Sequence, residues 1–312
     1  MKKFTGAIVL SLVMIVSCKN DLSFKKTKGG MPYKVYSGKN GKNLKVGDII
    51  KVQVIQKIKD SVAVDTHNKI PWYTRVDSVD TAYDIAEIWR HLKTGDSIVT
   101  VQMIDTFIKR APDRVPPNFK NGDKITTSYK IIDAFPTMED YTADFKKEQD
   151  KILANEIHEI ESYLAKKNIK AQKTGKGTFV EVKNPGMGVP IDSGKYVTVN
   201  YTGTSYSGKV FDSNMIDSFG HKQPLGFTVD VTPMGVSAFH EGIKLLKKGG
   251  AGTFFIPSML AYGGNAPSPD IKPYEHLIFD IEVVDVKDKA PETNNGLPPP
   301  PKINMDTTQR RK

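Results

Sequence analysis

Residues 47–66 can be laid on residues 194–213 without a gap, which pairs Val52 with Val199 and Asp65 with Asp212. Leu92-Lys93-Thr94-Gly95 falls in the same way on Leu246-Lys247-Lys248-Gly249. Self-similarity at a separation of domain size constrains the fold more than any local pattern, because one module must then be built twice. A chain of 312 residues has room for two such modules. The copies differ where the second carries large side chains: Val54 stands at the place of Tyr201, Val64 of Phe211, Ile85 of Phe239 and Ile108 of Tyr262. Even if the fold is shared, the site is not. The other reading of the first half is an unrelated small β-rich domain.

Local patterns fill in the frame. Ile49 to Ile55 and Ile125 to Ile132 have strand-type composition, and Ser97 to Met103 alternates. Tyr83 to Leu92 has helical spacing, with Ile85, Ile88 and Leu92 on one face. Thr137-Met138-Glu139-Asp140 has the spacing of a capping box and predicts a helix to about Lys167. On it Leu153, Ile157, Ile160 and Leu164 form a narrow apolar stripe, with Tyr141 and Phe145 on a compatible face. Asn168 to Gly177 is a polar connector. Phe179 to Val182 and Tyr196 to Thr204 then read as strands, and Val236, Phe239, Ile243 and Leu246 share a helical face. Leu277, Phe279, Ile281 and Val283 alternate, as in a strand with one face on a core. After Val286 the chain turns polar, runs through Pro298 to Pro301 and ends Gln309-Arg310-Arg311-Lys312, which reads as a disordered spacer.

The N-terminus has another purpose. Lys2 and Lys3 precede an apolar run from Ala7 to Val16 that is too short to span a bilayer as a helix. Ile15-Val16-Ser17-Cys18 reads as a lipoprotein signal, cut before Cys18, whose thiol is then acylated. The other reading is an uncleaved signal anchor with an incidental cysteine. Cys18 is the only cysteine, so no disulfide forms within the chain. The expected organisation is a signal peptide over 1–17, a tether over 18–30, a first domain over 31–135, a linker helix over 136–170, a second domain over 171–287 and a tail over 288–312. A lipid on Cys18 would place the protein on a bacterial membrane, facing the periplasm or the cell surface, with the outer membrane the first expectation.

Composition excludes more than it selects. The net charge of +10 drops to about +8 once Lys2 and Lys3 leave with the signal. The remaining lysines are scattered among acids with no basic-aromatic stripe, so the surface is solvated and not built for nucleic acid. His67, His91, His158, His221, His240 and His276 are dispersed without ligand spacing, so no metal is expected. There is no G-x-S-x-G and no phosphate loop, and no cofactor is implied.

The chemistry centres on Ile256 to Gly264, IPSMLAYGG, where the strand-like run Gly252 to Ile256 feeds a turn that presents Tyr262. Four other segments accompany it: Val199-Asn200-Tyr201-Thr202-Gly203, Val210-Phe211-Asp212-Ser213, the helix-like run Val236 to Leu246 carrying Phe239, and Leu277-Ile278-Phe279-Asp280. In that order and spacing they resemble the FKBP-type peptidyl-prolyl cis-trans isomerases, over roughly residues 177–286. The resemblance implies an α+β protein of two FKBP-like modules, each a twisted antiparallel sheet wrapped on a short helix, joined by the long helix. It implies catalytic roles for Tyr201, Phe211, Asp212, Phe239 and Tyr262, and substrate contacts from Leu225, Phe227, Val236, Ile271 and Phe279. Phe239 would floor the pocket beneath a proline ring, Tyr262 would donate to a substrate carbonyl, and Asp212 would orient the pocket. For Phe227 and Phe279 a purely structural place in the core is an equal alternative.

Departures from the family pattern bear on strength and preference. Phe239 stands where many members carry tryptophan, Leu225 where an aromatic is common and Gly235 where valine is common. The segment Asn214 to Gln223 is longer than usual, and the arginine that often partners the aspartate has no counterpart. In the loop Gly263 to Pro273, Pro267, Asp270 and Lys272 are unusual. The activity implied is isomerisation of Xaa-Pro bonds in exported, proline-containing clients by a membrane-anchored folding factor. The alternative is a chaperone or scaffold lipoprotein that binds such segments with little turnover. Oligomeric state is open.

Overall fold

The computed structural model describes residues 23–77, 82–233 and 236–291. The signal peptide, Cys18, Gly235 and the tail beyond residue 291 lie outside them. The chain forms two units, one of residues 1–67 and 71–141, the other of residues 68–70 and 142–312.

The first unit is a seven-stranded sheet of β1 (Lys25–Lys26), β2 (Pro32–Tyr36), β3 (Ile49–Ile58), β4 (Ser61–Asp65), β5 (Trp72–Arg75), β6 (Ser97–Met103) and β7 (Lys124–Phe135), with the order β1-β2-β6-β7-β3-β4 and β5 paired to β3. A short helix α1 (Ile104–Arg110) follows β6. One face buries Ile50, Val52, Val54, Ile98 and Ile131 with Trp89 and Leu92. The helical spacing of residues 83–92 resolves into two 3-10 turns, Ile85–Glu87 and Trp89–His91, broken at Ile88, whose φ of −122° and ψ of −7° are not helical. The polar segment expected to be a tether is folded from Lys25 onward. The buried Glu87 carboxylate draws it in, accepting from Thr27 Oγ1 at 2.7 Å, Gly29 N at 2.6 Å and Tyr83 N at 2.7 Å. Burial pushes the Glu87 carboxyl up, but these donors outweigh it and hold it below its ordinary value.

The helix α2 (Met138–Lys167) starts where the capping pattern places it. Thr137 Oγ1 accepts from Asp140 N at 3.1 Å and donates to the Asp140 carboxylate at 2.7 Å. Thirty residues at about 1.5 Å each make a helix of about 45 Å. Its buried positions recur every fourth residue: Ile152, Glu156, Ile160 and Leu164. Ile157 packs at the margin of this stripe, and Leu153 is only half-buried.

The second unit repeats the first. Its strands are β8 (Gln172–Lys173), β9 (Phe179–Asn184), β10 (Tyr196–Ser205), β11 (Val210–Ser213), β12 (Leu225–Thr228), β13 (Ala251–Ile256) and β14 (Leu277–Lys287). Their order is β8-β9-β13-β14-β10-β11 with β12 paired to β10, the same topology strand for strand. The irregularities also recur. The β3–β7 ladder slips between Lys51 and Val52, and the β10–β14 ladder between Thr198 and Val199. Isolated bridges join Asn43 to Lys93 and Pro190 to Lys247. Thr27 Oγ1 accepts from Met31 N as Thr174 Oγ1 does from Thr178 N, both at 3.1 Å. Coincident bulges and bridges are stronger marks of a repeat than side-chain identity, since one extra residue flips every later side chain.

The second core forms because β14 alternates, burying Leu277, Phe279, Ile281 and Val283 against Val197, Val199 and Phe254. The expected helix over 236–246 is shorter than its pattern: α3 covers Ala238–Gly242 and a 3-10 turn takes Ile243–Leu245. Gly242 lets it lie flat on the sheet, because a Cβ there would meet the Phe254 ring at 2.4 Å.

Candidate active site

The β10–β11 pair builds the polar edge of the site. Tyr201 on β10 donates its hydroxyl to Asp212 Oδ2 at 2.7 Å. Asp212 faces Gly203, and Phe211 is the extra residue of the bulge between that pair and the pair Thr204–Val210. Gly203 leaves space that no other residue would: an added Cβ would lie 2.7 Å from Phe211 Cζ and 2.8 Å from Phe279 Cε1. The rings of Phe211 and Phe279 can therefore meet edge-on, 5.5 Å apart at 84°.

Phe279 is the hub of the aromatic cluster. Tyr201 lies 6.2 Å from it and Phe239 4.8 Å, the latter edge-on at 74°. Phe227 stacks behind Phe239 at 6.5 Å. Phe239, Phe279, Phe227, Val236 and Ile271 are buried, whereas Tyr201, Phe211, Asp212, Leu225 and Tyr262 are half-buried. The residues named from the sequence thus form a buried floor and an accessible rim. Phe227 belongs to the layer beneath.

The two phenols differ in what their protons do. Burial pushes the Tyr201 hydroxyl well above its ordinary value, and the bond to Asp212 and that carboxylate's charge add to the rise. Burial also raises Tyr262, again with help from Asp212. Both stay protonated donors. The Tyr201 proton is committed to Asp212, while the Tyr262 hydroxyl makes no hydrogen bond among the described residues.

Asp212 has a second partner that the sequence reading missed. His221 Nε2 stands 2.9 Å from Asp212 Oδ1. The buried Asn214 explains how the long 214–223 segment delivers it. The Asn214 amide donates to Val199 O and to Gln223 O, both at 3.1 Å, and its oxygen accepts from Tyr201 N at 2.8 Å. The side chain ties both ends of the segment to β10. An imidazole therefore occupies the carboxylate, for which the sequence holds no partner arginine.

The tip of the site is the turn after β13. Its 3-10 segment, Ser258–Leu260, leads to Tyr262, and Ser258 O accepts from Ala261 N at 2.9 Å and Gly263 N at 2.8 Å. Among the described residues no group of three His, Cys, Asp or Glu is placed to hold a metal.

Comparison with known proteins bears on this arrangement. Residues 189–284 match the family described as FKBP-type peptidyl-prolyl cis-trans isomerase. A protein of Neisseria meningitidis serogroup B called FK506-binding protein is 34% identical over 110 residues, which is 35% of this chain and 96% of that relative. The chain belongs to the FKBP-type peptidyl-prolyl cis-trans isomerase family. The FKBP-type peptidyl-prolyl cis-trans isomerase FkpA of Escherichia coli strain K12 is 37% identical over 127 residues, 41% of this chain and 43% of the relative. The chain therefore spans less than half the length of that larger relative. The crystal structure of Escherichia coli FkpA is similar with 32% identity, a TM-score of 0.36, and coverage of 49% of this chain and 71% of that one.

The family match lies within the second unit. At the equivalent place in the first, strand register moves the sequence pairing by one residue. Val64 faces Gln56 as Asp212 faces Gly203, and Ala63 takes the bulge position of Phe211. Val54, at the place of Tyr201, is fully buried. Ile108 lies on α1, where the second unit has the turn bearing Tyr262. Among the described residues the first unit has neither the aromatic hub nor a carboxylate at the place of Asp212.

Proposed function

We propose that the second unit catalyses cis-trans isomerisation of Xaa-Pro bonds. One observation carries the reading: Tyr201, Phe211 and Phe239 converge on Phe279 beneath a rim where Tyr262 alone keeps an uncommitted phenolic proton. The barrier of ~18–20 kcal/mol is amide resonance, and the twisted amide is less dipolar than the planar one. A dry aromatic floor favours the twisted state over the planar one, which is differential binding of the transition state. Tyr262 donates to a substrate carbonyl from a fixed position, so little reorganisation is needed. Asp212, held between Tyr201 and His221, keeps the rim in register. No nucleophile or proton transfer is required.

Two-dimensional exchange NMR on a short Xaa-Pro peptide tests this. The unaided reaction takes tens to hundreds of seconds. Exchange cross-peaks should grow in proportion to added protein. Unchanged peptide exchange in the presence of folded protein would contradict the proposal.

The setting is part of the same proposal. The basic start, the short apolar run and Cys18 support an exported, lipid-anchored folding factor acting on proline-containing clients. Among the described residues no helix is long and apolar enough to cross a membrane. Cys18→Ser should leave the protein unprocessed and release it from lipid attachment. Normal processing and membrane fractionation of that variant would remove the anchor from the account.

A further inference from the structure

A buried carboxylate on α2 reaches the turn that carries Tyr262. Glu156 lies in the stripe between Ile152 and Ile160, and only 6% of it is exposed. Its carboxylate accepts from the Ser258 hydroxyl, 102 residues later in the chain, and from Met259 N at 2.9 Å. Ser258 is fully buried, and each of its polar groups is used. Its N–H donates to His276 Nδ1 at 3.3 Å, and the other ring nitrogen of His276 stands 3.1 Å from Glu159 on the same helix. Its carbonyl gathers the N–H groups of Ala261 and Gly263, the residues on either side of Tyr262. A continuous line of hydrogen bonds thus runs from the helix to the backbone that aims the phenol.

Apolar packing holds the helix where this line needs it. Ile160 and Leu164 are buried against Phe179 and Phe255, with Tyr163 and Tyr206 beside them, rings 4.7 Å apart. Gly177 comes so close that a Cβ would meet Ile157 Cδ1 at 2.4 Å. A carboxylate in such a stripe is costly unless its oxygens are satisfied. An alanine or leucine would have served packing alone. Burial pushes the Glu156 carboxyl above its ordinary value, even though both donors and His276 pull the other way.

We propose that Glu156 is a positioning residue for the isomerase site: through Ser258 and Met259 it holds the turn that presents Tyr262, so the working catalytic unit includes α2 as well as the sheet. The inference rests on the isomerase reading for its kinetic consequence, and on geometry alone for its structural one. Glu156→Ala removes both acceptors. Glu156→Gln keeps an amide oxygen that can still accept. Leu164→Ala loosens the same helix without touching Ser258.

The test uses the full chain, with each variant checked for folding by circular dichroism. Two quantities are read: kcat/KM by exchange NMR on an Xaa-Pro peptide, and hydrogen exchange of the Ala261 and Gly263 amides. Glu156→Ala should lower kcat/KM roughly two- to tenfold, the range for losing bonds of this kind. It should also speed exchange at both amides. Glu156→Gln should recover most of both, and Leu164→Ala should cost stability with a smaller kinetic effect. Folded Glu156→Ala with wild-type kcat/KM and unchanged amide exchange would overturn the proposal. So would a loss in Glu156→Ala no greater than in Leu164→Ala. If the wild-type chain shows no turnover, the isomerase reading fails, and amide exchange alone then decides whether Glu156 holds the turn.

Discussion

Gly203→Ala puts one methyl group at the crossing of the two rings that line the site. In the structure that methyl would lie 2.7 and 2.8 Å from Phe211 and 2.8 Å from Phe279. Carbon atoms pack best at about 3.5–4.0 Å, so the rings must retreat by close to 1 Å. Phe279 cannot, because it is buried between Phe211 and Phe239. Phe211 is half-buried and must take the movement. Overpacking of this kind costs about 1–3 kcal/mol, offset by about 0.5–1 kcal/mol because alanine is the better strand residue. The net expectation is a destabilisation of up to about 2.5 kcal/mol, with a loss of kcat/KM larger than the loss of stability explains. Both tryptophans, Trp72 and Trp89, lie in the first unit, so their fluorescence would miss the event. Denaturation should be followed by NMR signals of β10 and β14, with turnover measured on the same samples. Gly175→Ala is the control, since its Cβ would meet only Glu241, at 3.9 Å. If Gly203→Ala matches wild type in both stability and turnover, the crowded aromatic hub is not the site's foundation.

Other expectations follow from single contacts. His221→Ala should change stability by less than about 0.5 kcal/mol, because its pair with Asp212 is close to half exposed and screened, yet lower kcat/KM about two- to fivefold by freeing Asp212; equal turnover would assign His221 to the surface alone. Glu156 has a raised carboxyl, so its stabilising protonated form is fully present below the unfolded value near 4.5 and is lost as pH rises through the folded one. Urea midpoints from pH 4 to 8 should therefore drift in favour of Glu156→Gln over wild type as pH rises, with His276, Glu159 and Tyr274, the other titratable groups facing Glu156, shared by both proteins. A constant gap, or the opposite drift, would remove that sign. A fragment of the first unit, residues 23–137, should show no isomerase turnover, since Val54, Ala63 and Val64 stand where the second unit has its aromatic and acidic groups; turnover equal to that of the whole chain would contradict it.

Much of this was legible before the structure, and the omissions share a cause. β14 was readable because one face is buried, so Leu277, Phe279, Ile281 and Val283 had to alternate. The repeat was readable through Gly47 and Gly194, both at positive φ, where side chains are strained. The start of α2 was readable because its cap is local. Contacts that cross the chain were not. Glu156 has no mark in the local pattern because its partner Ser258 lies 102 residues away, although an acid at four-residue spacing between Ile152 and Ile160 was a visible signal. His221 depended on a path set by Asn214. The segment Lys25 to Gly30 read as part of the tether because Glu87, which gathers it in, lies about 60 residues away. Local period defines an element, but polar long-range partners decide where it stops and what it holds.

The central claim is that a dry aromatic floor, rather than an acid, base or nucleophile, lowers the barrier. The most direct measurement is kcat/KM by exchange NMR for three folded variants of the full chain. Tyr262→Phe removes one hydrogen bond worth about 0.5–1.5 kcal/mol and should cost roughly two- to twelvefold. Asp212→Asn should cost more than that but less than Phe239→Ala, which opens the floor to water. Because truncating a buried Phe also costs about 3–5 kcal/mol of stability, Phe239→Leu should accompany it to keep the comparison among folded proteins. The account predicts the order Phe239, then Asp212, then Tyr262, with no variant of the two polar residues abolishing turnover. Full activity in folded Phe239→Ala, with none in Tyr262→Phe, would contradict it.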